Sequence, residues 1–296
     1  MARDLVLLAN PAAGKGRGAR GADAVASRLR AGGFNVDRLV ADHAEQAATQ
    51  AEEAVRSGVG SLVCMGGDGM VHLGLQAVAA SETTLGVIAT GTGNDVARAL
   101  DLPRGDPLRA ADLILASWVR RVDLGEVQGT YFATVLATGF DSKVNERANT
   151  MRWPHGQMRY NLATVSELSV FTPLRYNLEI DGDRLELDAM LVAVGNGPSY
   201  GGGLRITHGA RIDDGRLDVV IIKPLSKLEL LWVYPKLFSG KHVTHRQYEH
   251  HFAEEVSLAA LGIVAYADGE RVGPLPTTVR VAPNALRVYA PRSLLS

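Results

Sequence analysis

The sequence predicts an α/β N-terminal domain with a parallel sheet, followed by a C-terminal antiparallel β-sandwich domain. Three observations predict it. Over residues 1–122 short apolar runs alternate with longer stretches of helix formers, the rhythm of a parallel sheet covered by helices on both faces. Three of those runs end in glycine-rich turns: Asn10-Pro11-Ala12-Ala13-Gly14, Gly66-Gly67-Asp68-Gly69 and Gly91-Thr92-Gly93-Asn94-Asp95. From Tyr131 onward strand patterns dominate, with hairpin signals at Asp181-Gly182-Asp183 and Asp213-Asp214-Gly215. The chain of 296 residues has room for two domains of about 150 residues.

The elements follow in order. Leu5–Ala9 is a short apolar strand. Gly18–Ala31 is a helix ended by Gly32-Gly33, and Phe34–Val40 is a second strand. Ala44–Ser57 is a helix stopped by Gly58. Ser61–Met65 is a third strand with a helix at Met70–Ala80, and Leu85–Ala89 is a fourth. A helix start at Asn94–Leu100 and a helix at Pro107–Ser117 complete the first domain. The second domain, 123–290, reads as strands at Tyr131–Thr138, Leu174–Ile180, Arg184–Val194, Leu217–Ile222, Glu255–Ala260, Val264–Ala267, Thr277–Val281 and Leu286–Tyr289. Helical pieces lie near Tyr160–Phe171 and Leu225–Leu237. The tail 291–296 is placed back on the first domain.

Composition excludes several classes. The net charge of −1 gives no global field toward nucleic acid, so no nucleic-acid partner is expected. The single Cys64 rules out an internal disulfide framework and a cysteine-rich metal site, and its apolar run reads as core. The N-terminal apolar run is too short for a signal peptide. No run reaches the roughly 18 apolar residues of a membrane span. A cytoplasmic protein is expected, with membrane contact peripheral, at the inner face.

Glycine frees backbone amides to approach a ligand, and amides at a strand-to-helix turn suit phosphate oxygens. Three such turns at the carboxyl ends of strands point to a nucleoside triphosphate. Neither common nucleotide motif fits. Gly14-Lys15 lacks the P-loop spacing, and Gly16-Arg17-Gly18-Ala19-Arg20-Gly21 begins too far past its strand for a dinucleotide turn. Asp68 among its glycines would repel a phosphate unless a cation or water lies between. Asn94 or Asp95 alone reads equally as a helix cap. Asp268-Gly269-Glu270 reads alone as a surface hairpin turn.

The ordered set is more specific. Asn-Pro-x-x-Gly, Gly-Gly-Asp-Gly and Gly-Thr-Gly-Asn-Asp are followed by Asp123, Thr138-Gly139-Phe140-Asp141, Asn196-Gly197, Ile212–Asp218 and Asp268-Gly269-Glu270. This order resembles the diacylglycerol kinase catalytic domain family of lipid kinases, related to sphingosine kinases, over nearly the whole chain. The resemblance implies an NAD kinase/diacylglycerol kinase-like fold with the site between two domains. It implies an ATP site lined by Asn10, Pro11, Ala12, Ala13, Gly14, Gly66, Gly67, Asp68, Gly69, Thr92, Gly93 and Asn94. It implies an acidic network of Asp68, Asp95 and Asp123 around Mg²⁺, partly through water. A second, structural Mg²⁺ site would take the Asp214 carboxylate and the carbonyls of Arg211 and Arg216. Asp268 and Glu270 would face the lipid hydroxyl, with Asp268 the expected base and the reverse assignment open. The lipid tail would lie near Phe140, Tyr160 and Phe171, and diacylglycerol is the first acceptor expected.

This sequence departs from the family pattern. Met70 replaces the threonine after Gly-Gly-Asp-Gly, His72-Leu73 replace Asn-Glu, and Ala41-Asp42-His43 lacks the ribose-side threonine. An NAD kinase relative and a catalytically inactive lipid- or nucleotide-binding homologue are the alternatives. His242, His245, His250 and His251 lack the spacing of a zinc site and read as a solvated face. Lys223–Lys241 reads as an apolar helix face flanked by lysines, for anionic lipid or for core packing. An edge strand of the sandwich is open to pairing in a homodimer.

Overall fold

The structure, a computed structural model, describes residues 3–9, 17–41, 43–151, 153, 158, 162–164, 166–167 and 171–292. The chain forms two compact units, Met1–Leu124 with Pro283–Ser296, and Gly125–Ala282.

In the first unit β1 (Arg3–Ala9), β2 (Phe34–Val40), β3 (Ser61–Gly66) and β4 (Thr84–Ala89) form a parallel sheet in the order β2-β1-β3-β4. Among the described residues five helices accompany it: α1 (Arg17–Ala31), α2 (Ala44–Arg56), α3 (Asp68–Val78), α4 (Asp95–Ala99) and α5 (Pro107–Ala116). Leu7, Val63 and Ile88 cluster with Val25 and Leu29 of α1 and with Ile114 of α5. On the other face α3 lies so close to β3 that a Cβ on Gly74 would stand 2.1 Å from Cys64 Sγ. Both faces are covered, so β3 and β4 are buried at every position and read as continuous apolar runs. The end of β16 (Thr277–Tyr289) also belongs here. Val288 pairs parallel with Leu85 of β4, and the Tyr289 hydroxyl hydrogen-bonds Ser61 Oγ at 2.8 Å.

The second unit is a sandwich. One sheet holds the first half of β16, then β13 (Glu255–Ala259), β8 (Leu174–Ile180) and β9 (Asp183–Ala189). The other runs β12 (Tyr248–Ala253), β11 (Leu217–Ile222), β10 (Leu191–Gly195), β7 (Val135–Gly139), β14 (Val264–Ala267) and β15 (Glu270–Pro274), all antiparallel. Tyr176, Leu178, Val256 and Val279 of the first sheet share a core with Leu136, Val192, Val219 and Ala265 of the second. The outer face of the second sheet carries α6 (Phe140–Thr150) and α7 (Lys227–Leu237) through Val135, Ala193 and Val220 against Phe140, Val144 and Leu230.

Several elements differ from the sequence reading. The expected strand Tyr131–Thr138 is two, β6 (Thr130–Phe132) and β7, parted at Ala133-Thr134. Arg184–Val194 is also two, parted at Met190, whose N–H donates to Ile222 and whose carbonyl accepts from Phe140. The expected strands Thr277–Val281 and Leu286–Tyr289 are one, β16, which runs on through Pro283. β5 (Val119–Val127), β12, β15 and α6 were not expected. Charges interrupt the apolar pattern of β5 and β12, and α6 offers only the narrow stripe Phe140, Val144, Ala148. Tyr160, expected near the lipid tail, lies outside the described residues, and within the expected helix 160–171 residues 162–164 and 166–167 are helical.

Candidate functional site

The first unit builds its part of the site from two interlocked turns. Gly67 precedes α3 in extended backbone and offers no side-chain cap, and Asp68 is the first helical residue. The Asp68 carboxylate turns to the next strand's loop. Oδ2 accepts the Asn94 N–H and Oδ1 the Asp95 N–H, both at 2.8 Å. Asn94 holds φ +55°, and its Nδ2 donates to the Gly91 carbonyl at 2.8 Å. The turns touch backbone to backbone: a Cβ on Gly91 would stand 2.5 Å from Gly67 Cα, and one on Gly93 would stand 2.4 Å from Asp68 Oδ2. Asp68 thus clamps the Gly91–Asp95 loop. No side chain caps α3, and the start of a helix is the usual seat of an anion, although here the Met70 N–H already donates to the Gly67 carbonyl at 3.1 Å. Thr92 and Gly69 are exposed there, and Met70 packs against Gly66.

Asp95 is buried and pairs with Arg98, whose guanidinium also donates to the Gly93 carbonyl at 3.1 Å. Asp123 is buried, and its Oδ1 accepts the Asn284 N–H at 2.7 Å. Among the described residues no three His, Cys, Asp or Glu side chains gather as a metal cluster. The first turn, Asn10, Pro11, Ala12, Ala13 and Gly14, lies outside the described residues, as does Asp42.

In the second unit the break between β6 and β7 serves Asp268. Its carboxylate accepts the Ala133 N–H at 2.7 Å, and the Thr134 N–H at 2.8 Å and hydroxyl at 2.5 Å. Asp268 sits at φ +51° and donates its own N–H to Val135. Glu270 opens β15 with an exposed side chain. The two carboxylates differ in kind: Asp268 is held by three donors, and Glu270 is exposed to solvent. Ala133 and Thr134 were not read from the sequence; the only signal was the small polar interruption between two apolar runs. Asp214 is exposed and accepts the Arg216 N–H at 3.2 Å, while Arg211 pairs with Asp213 at 3.5 Å.

Phe140 meets Phe171 edge-on, 5.5 Å between centroids, on the outer face of the second sheet. Beside Phe140, the Asp141 Oδ2 is buried with no hydrogen-bond partner among the described residues, and burial pushes the carboxyl up to about 7. The Tyr176 hydroxyl, pushed up to about 12 by burial, bonds Thr138 at 3.2 Å. The histidines are not one solvated face. His242 is fully buried with its ring bonded to the Ile206 carbonyl, His250 bonds Asp218, and His251 bonds Glu249.

The comparisons with known proteins agree with this arrangement. Residues 4–127 match the model of the diacylglycerol kinase catalytic domain, and residues 134–290 match that of the YegS C-terminal NAD kinase beta sandwich-like domain. A diacylglycerol kinase of Mycobacterium tuberculosis is 40% identical over 96% of this chain and 94% of its own length. One of Bacillus subtilis is 27% identical over 91% of this chain and 90% of its own. The crystal structure of a diacylglycerol kinase from Bacillus anthracis superposes with a TM-score of 0.76 at 21% identity, covering 99% of this chain and 98% of that one. An NAD kinase from Archaeoglobus fulgidus in complex with ATP shares the fold more distantly, with a TM-score of 0.54 at 11% identity, covering 98% and 95%. Identity of this extent, with both halves matched in order, means that the chain belongs to the diacylglycerol kinase catalytic domain family.

Proposed function

We propose that this protein is an ATP-dependent lipid kinase that phosphorylates a hydroxyl of a membrane lipid, with diacylglycerol the first acceptor to test. The observation that carries the reading is the Asp68 clamp. It holds the Gly91–Asp95 loop against the uncapped start of α3, which suits a triphosphate seated on backbone amides. Thr92, Gly93 and Asn94 would line it with Gly66, Gly67 and Gly69.

Mg²⁺, when bound, would neutralise charge on the phosphate oxygens. Hard cations of this kind keep several waters and bind through one or two carboxylates plus phosphate. The described carboxylates fit that mode better than a preformed cage. Asp68 would meet the cation beside the loop it clamps, and Asp95 and Asp123 would act through water. At the second site only Asp214 and the nearby carbonyls of Arg211 and Arg216 would serve.

On the acceptor side the geometry favours reversing the expected roles. Asp268 is a positioning residue, fixed by three donors. Glu270 has its carboxylate free to accept the lipid hydroxyl proton. As that proton moves to Glu270, the hydroxyl oxygen bonds to the γ-phosphorus. The bond to the bridging β–γ oxygen breaks, and ADP leaves. Peripheral contact with the membrane follows from such an acceptor. Purified protein with labelled ATP, Mg²⁺ and a lipid panel tests the reading. Labelled phosphatidic acid from diacylglycerol is the expected product, and no transfer to any lipid would overturn it.

A further inference from the structure

Helix α7 is apolar on two faces, and only one of them is used. Leu230 and Val233 are 8% and 5% exposed and pack on the outer face of the second sheet. Leu228 and Trp232, four residues apart and so on one side of the helix, are 72% and 76% exposed. Pro235 extends that row, and Phe238, 48% exposed, follows at the helix end. A helix apolar all round belongs inside a protein or against another apolar phase. The local fold holds it rigidly. Ser226 and Glu229 form a reciprocal capping box, and Tyr234 hydrogen-bonds Thr164 of the neighbouring helical stretch. Leu162, two residues before Thr164, is 46% exposed.

Charge identifies the apolar phase. Lys236 and Lys241 are both exposed around this row. The acid within the helix, Glu229, is occupied by the Ser226 N–H at 2.9 Å and by Arg246 at 3.1 Å. Lys223 is already paired with Glu249 at 2.6 Å. The surface therefore offers leucine, tryptophan and proline in the centre and the exposed ammonium groups of Lys236 and Lys241 at the rim, in a protein whose net charge is −1. Tryptophan suits the headgroup boundary, with an apolar body and a polar N–H. Lysine stems lie along apolar surface and place their charge among anionic headgroups.

We infer that the outward face of α7, centred on Leu228 and Trp232 with Lys236 and Lys241 at its rim, docks the protein on an anionic bilayer. The inference deepens the lipid-kinase reading by naming how the enzyme would meet its acceptor's membrane, and its test needs neither ATP nor turnover.

Cosedimentation of the full chain with phosphatidylcholine vesicles, with and without phosphatidylglycerol, reads it directly. Binding is expected only with phosphatidylglycerol, and it should weaken as salt rises. Leu228→Glu with Trp232→Glu should abolish binding, and Lys236→Glu with Lys241→Glu should weaken it about tenfold or more. All four sites are exposed, so unchanged melting temperatures are expected. On a short-chain diacylglycerol dissolved as monomers, the variants should keep wild-type turnover. Wild-type vesicle binding with no turnover on any lipid would sink the kinase reading and leave the docking face standing. Unchanged vesicle binding in the Leu228/Trp232 variant would overturn the inference. So would equal binding to neutral vesicles, or a lipid-free dimer that the same variant splits into monomers.

Discussion

At the residue scale two carboxylates from one short motif have opposite environments. Asp268 has its oxygens occupied by Ala133 and Thr134, whereas Glu270 is exposed. Glu270→Gln should lower kcat by about 10² or more with an unchanged melting temperature. Asp268→Ala should lower the melting temperature as well, because two amides and a hydroxyl lose their acceptor, at about 1–3 kcal/mol. Steady-state kinetics beside calorimetry separates the two. The sequence could place both residues in a turn but not rank them, since the ranking comes from a break in a strand far away in the chain. Asp141 makes the second prediction at this scale. Burial lifts its folded-state carboxyl from 3.8 to about 7, so the folded protein holds an extra proton between those values. Stability is then greatest on the acid side of that window and falls as pH rises through 7, by at most about 4 kcal/mol. Asp141→Asn should flatten that slope in denaturation curves taken from pH 4 to pH 8. The motif Thr138–Asp141 was legible in the sequence; the burial of its acid was not.

At the scale of elements the functional geometry depends on close backbone approach. Gly67 and Gly91 meet where a single Cβ would come within 2.5 Å of another Cα. Gly91→Ala should therefore cost about 1–3 kcal/mol and sharply reduce nucleotide affinity by pushing the clamped loop away from α3. Calorimetry of ATP binding, with thermal melting of the same samples, checks it; wild-type affinity in the variant would mean the loop tolerates displacement. The glycine turns were the clearest signal in the sequence, because a strand end, a run of glycines and a helix start leave few alternatives. What the sequence hid was the partner of Asp68, which faces amides 26 and 27 residues on. Elements with strong periodicity, such as α2, α5 and β3, stand where expected. Those missed, α6, β5 and β12, carry polar or charged residues where a simple pattern demands apolar ones.

At the scale of the whole molecule the chain leaves the first unit after Leu124 and returns to it at Pro283. Its returning strand contributes Leu286, Val288 and Tyr289, all 5% exposed or less, beside β4. Ala80 donates its N–H to the Ala285 carbonyl at 2.7 Å, and Arg287 and Arg121 both pair with Glu82. A chain ending at Ala282 should lose nucleotide binding and become aggregation-prone, since β4 would be left as an open apolar edge. Tyr289→Phe, which removes only the buried bond to Ser61, should cost about 1 kcal/mol. Size-exclusion chromatography and denaturant titration check these outcomes.

The returning strand also sets an order of events during synthesis. A ribosome reading this message exposes β1 to β4 before the second unit, but the strand that finishes their sheet follows only after that unit. The first unit therefore waits, incomplete, until the second has been made in full. A product stalled before Pro283 would carry a first unit whose sheet still lacks its returning strand.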